Sequence, residues 1–353
     1  MSSNNLLTSR DPYMISDRAF SFDWSRSVGR EGRWWNEEIY AGMSPGGVTW
    51  KKQSDPHELT MLLWMSLAGG AVGAMFWQYR PEYLSFESPG YNLVSLDGEP
   101  TARFDAVSQA VSQIEAMSEY LPLECPRADV AVVYHPASQE LFGYNDENER
   151  FITDLRGVYR TLWAHGIPTD VVTPKMDWSG YRLLFLPNVA LMDEETQRKI
   201  GDILDSNQGP QIIAEGSFGL YSGDGQSSYR PPEGFSDRLG VRVADVSAVD
   251  QSDIEEGRNV VETLFGSVKI SSQCGYAVLK PEAETLAIAS LGGETVGVRT
   301  ADRRFTWYGL TLSAGVGGVG LPEIVLGHVK EAGVTAPVET RDDGLVPVVR
   351  RSS

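Results

Sequence analysis

Glu37 and Glu38 stand side by side at the end of an aromatic-rich run, Gly-Arg-Trp-Trp-Asn-Glu-Glu-Ile-Tyr-Ala-Gly, from Gly32 to Gly42. Trp34, Trp35, Ile39 and Tyr40 are strand formers, and Gly42, Pro45, Gly46 and Gly47 end any strand. Alternation would put Asn36, Glu38 and Tyr40 on one face and Trp35, Glu37, Ile39 and Ala41 on the other. The first face is the polar one, so Glu38 is the stronger candidate to point into a site. An exposed acid pair at a strand end is the competing explanation.

The elements around this run must position it. Asp55-Pro56-His57-Glu58 opens a helix to about Ala68, with Asp as N-cap, Pro in the first turn and an acid beside it. Ala71 to Arg80 reads as a buried strand, and Pro100 to Tyr120 as a second helix with Phe104, Val107, Val111, Ile114 and Met117 at helical spacing. Strand, helix, strand, helix is a parallel α/β order with right-handed crossovers. Carboxylates at the C-terminal ends of such strands are what a TIM-barrel active site is made from. A closed barrel needs about 200 residues or more, so residues 1–121 read as the C-terminal portion of one.

A second domain is expected over 128–332. Strands at 128–134, 168–172, 181–187 and 211–215 alternate with helices at 149–165 and 193–207, with Gly166 as a C-cap, which describes an open doubly wound sheet. Residues 216–232 form a Gly/Ser/Tyr-rich loop, 241–304 are more β-like, 306–310 add a core strand and 322–331 a closing helix. Residues 337–353 begin a short-strand pattern whose Leu345–Arg350 has no partner in the remaining residues, so a truncated start of a small β domain is expected. The Gly-rich run 315–320 lacks the Lys and Ser/Thr of a phosphate loop and reads as a plain loop.

The chain has 353 residues, 41% of them hydrophobic, with nine Trp, which indicates large cores. Cys125 and Cys274 are the two cysteines; with no CxxC pattern or nearby His they exclude a disulfide framework and make a zinc site or other metal unexpected. No cofactor is expected either. A formal charge of −18 argues against nucleic acid or an anionic membrane as partner and suits a neutral substrate or a salt-rich cytoplasm. No secretory signal is visible, which points to a cytoplasmic protein. The apolar run 59–77 is split by Gly69 and Gly70, so helix, turn and strand is preferred over a membrane span. Trp34, Trp35, Trp64 and Trp77 are expected in the core, and His57 and His135 at the surface or at helix starts. The second domain shows no carboxylate pair in its sequence.

The run Trp34 to Gly42, with Ser-Pro-Gly-Gly-Val-Thr-Trp from Ser44 to Trp50, resembles glycoside hydrolase family 42, the β-galactosidases. Gly73 to Arg80 and Leu96 to Arg103 resemble it too, and residues 128–332 look like that family's trimerisation domain, a flavodoxin-like or class I glutamine amidotransferase-like fold. The resemblance implies a retaining mechanism with Glu38 as nucleophile and Glu37 as the minor candidate. Trp50 would stack on the sugar, Glu87 would bind its hydroxyls and Tyr40 would line the site; Gln78 and Arg80, at a strand's C-terminal end, either line it or pair with acids. It implies a β-galactoside substrate, a homotrimer and an acid/base Glu on the earlier barrel strands, which a separate chain carrying the N-terminal barrel half could supply. Two departures, Gly90 where the family has His and Tyr40 where it has Gln, leave a related β-glycoside or an arabinoside open. Two other classes compete: a non-catalytic oligomerisation or carbohydrate-binding module, and an amidotransferase-like enzyme, against which the placement of the two cysteines argues.

Overall fold

The computed structural model describes residues 12–29, 33–43, 52–84, 86–206, 208–282, 284–313, 321–338 and 351–352. Two compact units divide the chain, residues 1–127 with 348–353, and residues 128–347.

The first unit begins with helix α1 (Pro12–Val28), followed by strand β1 (Trp34–Tyr40), helix α2 (Pro56–Ala68), strand β2 (Ala71–Trp77), helix α3 (Ala102–Ala116) and the short strand β3 (Leu123–Glu124). The start of α2 follows from its sequence: Asp55 caps it, its Oδ1 accepting from the His57 amide at 2.8 Å, with Pro56 in the first turn. β1 and β2 are parallel, as a strand–helix–strand crossover requires. The helices cover one face of the pair. Phe22, Trp34, Ile39, Ala41, Leu59, Leu62, Leu93 and Val107 form that core. The opposite face is open, with Trp35 52%, Val72 43%, Met75 48% and Trp77 42% exposed. Trp35 and Trp77 are therefore not core residues; Trp35 lies instead over Gly73, where a Cβ would come within 2.6 Å of its ring.

In the second unit come β4 (Val130–Val133), α4 (Pro136–Tyr144), α5 (Asn148–Ala164), β5 (Thr169–Val172), β6 (Leu183–Pro187), β7 (Leu191–Met192), α6 (Glu194–Asp205), β8 (Gln211–Glu215) and β9 (Tyr221–Ser222). After these come α7 (Ser236–Leu239), β10 (Val241–Ala248), α8 (Gln251–Glu255), β11 (Val260–Thr263), β12 (Gly266–Lys269), β13 (Gly275–Pro281), β14 (Leu286–Leu291), β15 (Glu294–Arg299), β16 (Phe305–Tyr308) and α9 (Pro322–Glu331). A nine-stranded sheet runs β12-β11-β14-β15-β16-β8-β6-β4-β5. Its β16-β8-β6-β4-β5 part is parallel, the doubly wound arrangement expected. The β-like stretch supplies β11, β12, β14 and β15, which extend that sheet antiparallel. The core strands β4, β6 and β16 are buried at every position, which is why they read as continuous apolar runs. Gly166 ends α5 at φ 65°, the left-handed turn glycine permits.

Strand β17 (Arg351–Ser352) pairs antiparallel with β3, inside the first unit; Leu345 to Arg350 and the run 315–320 lie outside the described residues. Among the described residues no helix is long and apolar enough to cross a membrane, and the run 59–77 is α2 and β2.

Candidate active site

Glu38 owes its orientation to an irregularity in β1. Asn36 pairs with Ala74 and Ile39 with Phe76, so Glu37 and Glu38 together oppose the single residue Met75. This is a β-bulge, and it shifts the strand's alternation by one residue. Trp34 and Asn36 face the helices before it; Ile39 and Ala41 face them after it, both 0% exposed. Asn36 is therefore buried, its Nδ2 donating at 2.8 Å to Ser66 Oγ of α2, and does not share a face with Glu38 as unbroken alternation suggested. Glu38 and Tyr40, alternating with Ile39 and Ala41, turn from the helix layer toward the open face.

Tyr40 lies on the same face as Glu38, and its pKa is pushed up to about 12. Burial is the main cause, followed by the charge of Glu38, with Tyr91 and Glu87 adding to it. The Tyr40 and Tyr91 rings lie 4.6 Å apart at 43°. Tyr91 in turn is fastened to the end of β2. Its carbonyl accepts from the Gln78 amide, and the Leu93 amide donates to the Gln78 carbonyl at 2.9 Å.

The charges of Glu38 and Glu87 thus both act on the Tyr40 hydroxyl. Gln78 meets Tyr91 through its backbone, while its side chain donates to Glu82 Oε2 at 2.6 Å. Arg80 is exposed and lies over Gly98, where a Cβ would meet its Nη2 at 3.0 Å. Glu37 is exposed beside Glu38. Trp50 lies outside the described residues. Tyr91 is a site residue that the sequence does not single out, because its place depends on a left-handed backbone (φ 60°) that a tyrosine does not advertise.

The second unit also holds acids that its sequence concealed. Asp154 of α5 and Glu215 at the end of β8 are 5% and 0% exposed. Asp154 accepts from Asn188 Nδ2 at 2.7 Å and from the Ser313 hydroxyl. Glu215 accepts from the Leu312 amide, and its Oε1 has no hydrogen-bond partner among the described residues. Burial raises the pKa of both carboxyls, well above the ordinary range for Glu215. The nearby Cys274 thiol is pushed up to about 11, by burial first and then by Asp154. A thiol so held is protonated at neutral pH and unsuited to nucleophilic attack. His135 stands at a helix start, one of its two expected places, and is 0% exposed. It caps α4, its Nδ1 accepting from the Ser138 amide at 3.0 Å, which leaves Nε2 carrying the proton toward Thr196 Oγ1 at 3.0 Å. Among the described residues no cluster of three or more His, Cys, Asp or Glu is placed to hold a metal ion.

Residues 128–260 match the family described as beta-galactosidase trimerisation domain. The chain is similar to beta-galactosidase GanA of Bacillus subtilis, with 30% identity over 165 residues, 44% of this chain and 24% of that protein. Among solved structures it is similar to the cold-adapted beta-galactosidase from Rahnella sp. (TM-score 0.80, 18% identity, 98% of this chain and 52% of that one). It is also similar to Gan42B, a GH42 beta-galactosidase from G. stearothermophilus (TM-score 0.77, 17% identity, 99% of this chain and 51% of that one). The chain thus spans about half the length of these structures, and the α/β fold expected from the sequence is theirs. Residues 128–260 thus match the β-galactosidase trimerisation domain, and the chain as a whole is similar to β-galactosidases, a GH42 enzyme among them.

Proposed function

We propose that this chain carries the nucleophile and the trimerisation portion of a β-galactosidase-like retaining glycoside hydrolase acting on terminal β-D-galactosides. One observation carries the reading: Glu38 is turned by the bulge out of the helix layer at the end of a parallel strand, on the face of Tyr40, whose hydroxyl feels the charges of both Glu38 and Glu87. In retaining hydrolysis one carboxylate attacks the anomeric carbon, and a second, about 5–5.5 Å away, protonates the departing oxygen. Glu38 takes the first role, with Glu37 the minor candidate; Glu87, Gln78, Arg80 and Trp50 contact the sugar. The acid/base comes from barrel strands beyond β1 and β2, on a separate polypeptide or another part of a longer one. Neither edge of the β1–β2 pair is taken by another strand among the described residues, so both are free to receive them. Residues 128–332 assemble the chain as a homotrimer.

A second reading, a non-catalytic oligomerisation or carbohydrate-binding module, is favoured by the uncovered apolar face of β1 and β2. One reagent separates the two. A 2-deoxy-2-fluoro-β-galactoside with a dinitrophenolate leaving group needs no acid catalyst. The expected outcome is a stable adduct on Glu38, located by peptide mass spectrometry, lost in Glu38→Gln and kept in Glu37→Gln. A folded chain that stays unlabelled would favour the module.

A further inference from the structure

Tyr91 is held from two sides. Its carbonyl accepts from the Gln78 amide, the Leu93 amide donates to the Gln78 carbonyl at 2.9 Å, and the Val94 amide donates to the Tyr79 carbonyl at 3.0 Å. Arg103 of α3 approaches from the helix layer, its Nη2 donating to the Asn92 carbonyl at 3.0 Å. Residues 91–94 are thus stitched both to the chain leaving β2 and to the first turn of α3. Within them Tyr91 keeps φ 60°, a conformation a non-glycine residue holds where its surroundings enforce it. All of this places one ring. It lies 4.6 Å from the Tyr40 ring at 43°, and both residues are only half-buried.

The position of the pair along β1 gives it a part to play. Ile39 and Ala41 point into the helix layer, so Tyr40 and Glu38 share the opposite face. Tyr40 stands two residues beyond Glu38 toward the strand's C-terminal end, about 7 Å further on. In a barrel those ends face the mouth of the site. An enzyme for terminal galactosides takes in a chain end, so the terminal sugar lies level with the nucleophile and the departing group lies outward of it. Aromatic rings offer flat apolar faces to other rings, and a ring fixed before binding loses little freedom when it is used.

We infer that Tyr91, backed by Tyr40, is a specificity-determining residue: its ring is the platform for the departing group. It favours galactosides whose aglycone is itself a ring, an aryl group or a second pyranose, over those whose leaving group is small. The inference rests on Glu38 being the nucleophile and extends that reading across the scissile bond.

The test labels the full chain with two reagents that share one sugar, 2,4-dinitrophenyl 2-deoxy-2-fluoro-β-galactoside and 2-deoxy-2-fluoro-β-galactosyl fluoride. In both, a Glu38 oxygen bonds to C1 as the bond from C1 to the leaving group breaks. The electron pair departs on dinitrophenolate or on fluoride, with no proton required. Only the first reagent carries a ring beyond C1. Tyr91→Asn removes the tyrosine ring and suits the left-handed backbone; Tyr91→Phe keeps the ring, and unchanged melting temperatures verify that both fold. Should Tyr91→Asn melt early, Tyr91→Gly gives the same reading without backbone strain. The ratio of half-saturating concentrations, dinitrophenyl reagent over fluoride, is expected to rise about 3- to 10-fold in Tyr91→Asn. In Tyr91→Phe it is expected to stay within about twofold of wild type. A ratio that does not rise in Tyr91→Asn overturns the inference, and so does an equal rise in Tyr91→Phe, which would make the hydroxyl the contact. If wild type labels on Glu38 while the ratio stays fixed, the platform alone is wrong. If the folded wild type is labelled by neither reagent, the nucleophile falls first and the platform with it.

Discussion

Strands β2 and β6 have nearly the same character in sequence, Ala-Val-Gly-Ala-Met-Phe-Trp and Leu-Leu-Phe-Leu-Pro, yet different surroundings in the two units. Every residue of β6 is buried, because the second unit covers its central strands on both faces. In β2 the residues alternate in exposure, with Val72, Met75 and Trp77 uncovered. A continuous apolar strand is the mark of two-sided burial. The second unit meets that requirement from its own residues, whereas the first meets half of it. The apolar outer positions of β2, with Val111 of α3 and Met117 just after it at 40% and 36% exposure, stay uncovered among the described residues.

Mutations can break or sharpen this contrast. The largest stability effect is expected at Trp307, 0% exposed, packed against Phe218 and bonded through Nε1 to the Gly216 carbonyl at 3.2 Å. Trp307→Ala should destabilise the second unit by about 3–5 kcal/mol in denaturant unfolding.

Titration should show the next effect. Burial, reinforced by the charge of Arg299, holds His328 at about 3 instead of the ordinary 6.5. The unfolded chain therefore binds this proton first, and the second unit should lose stability as pH falls below about 6.5, by up to about 1.4 kcal/mol per pH unit. Glu215 and Asp154 act in the opposite sense. Their folded pKa values are raised, so the stability they contribute is present below the ordinary carboxylate range and is lost as pH rises through it. Between about pH 4.5 and 6.5 the slopes oppose one another. Urea midpoints across that window should fall more steeply on acidification in Glu215→Gln than in wild type, and less steeply in His328→Gln. Identical pH profiles in all three proteins would refute the assignment.

The smallest effect is expected on the open face. Trp77→Ser should change the stability of the first unit by no more than about 0.5 kcal/mol while reducing self-association in sedimentation velocity. A loss of several kcal/mol would mean that the face is covered in solution and that the contrast between the units is false.

How far these features are legible in the sequence depends on their range along the chain. The start of α2 is legible because Asp55, Pro56 and Glu58 act within one turn. The strands of the second unit are legible because two-sided burial leaves continuous apolar runs. Glu38 and Tyr40 can be paired since they are two residues apart on one strand. Asn36 is misplaced by simple alternation because a bulge is a property of the ladder, not of one strand's composition. The surroundings of Asp154 and Glu215 are built by Asn188, Leu312 and Ser313, distant from them in the chain, and neither acid carries a local sign of it. The depth of His135 and the exposure of Trp35 and Trp77 are equally invisible, since they depend on what covers each face.

The bulge at Glu37 and Glu38 also acts as a phase slip in the strand. A regular seven-residue strand carries a single parity, so whatever its first half shows the helices, its second half must show too. Inserting one unmatched residue lets the Trp34–Asn36 half and the Ile39–Ala41 half each keep apolar or satisfied groups inward while both acids escape the layer. Chain segments on either side of such a slip can vary independently. Comparisons that count alternate positions straight through it will pair Asn36 with Glu38, two residues whose environments have nothing in common.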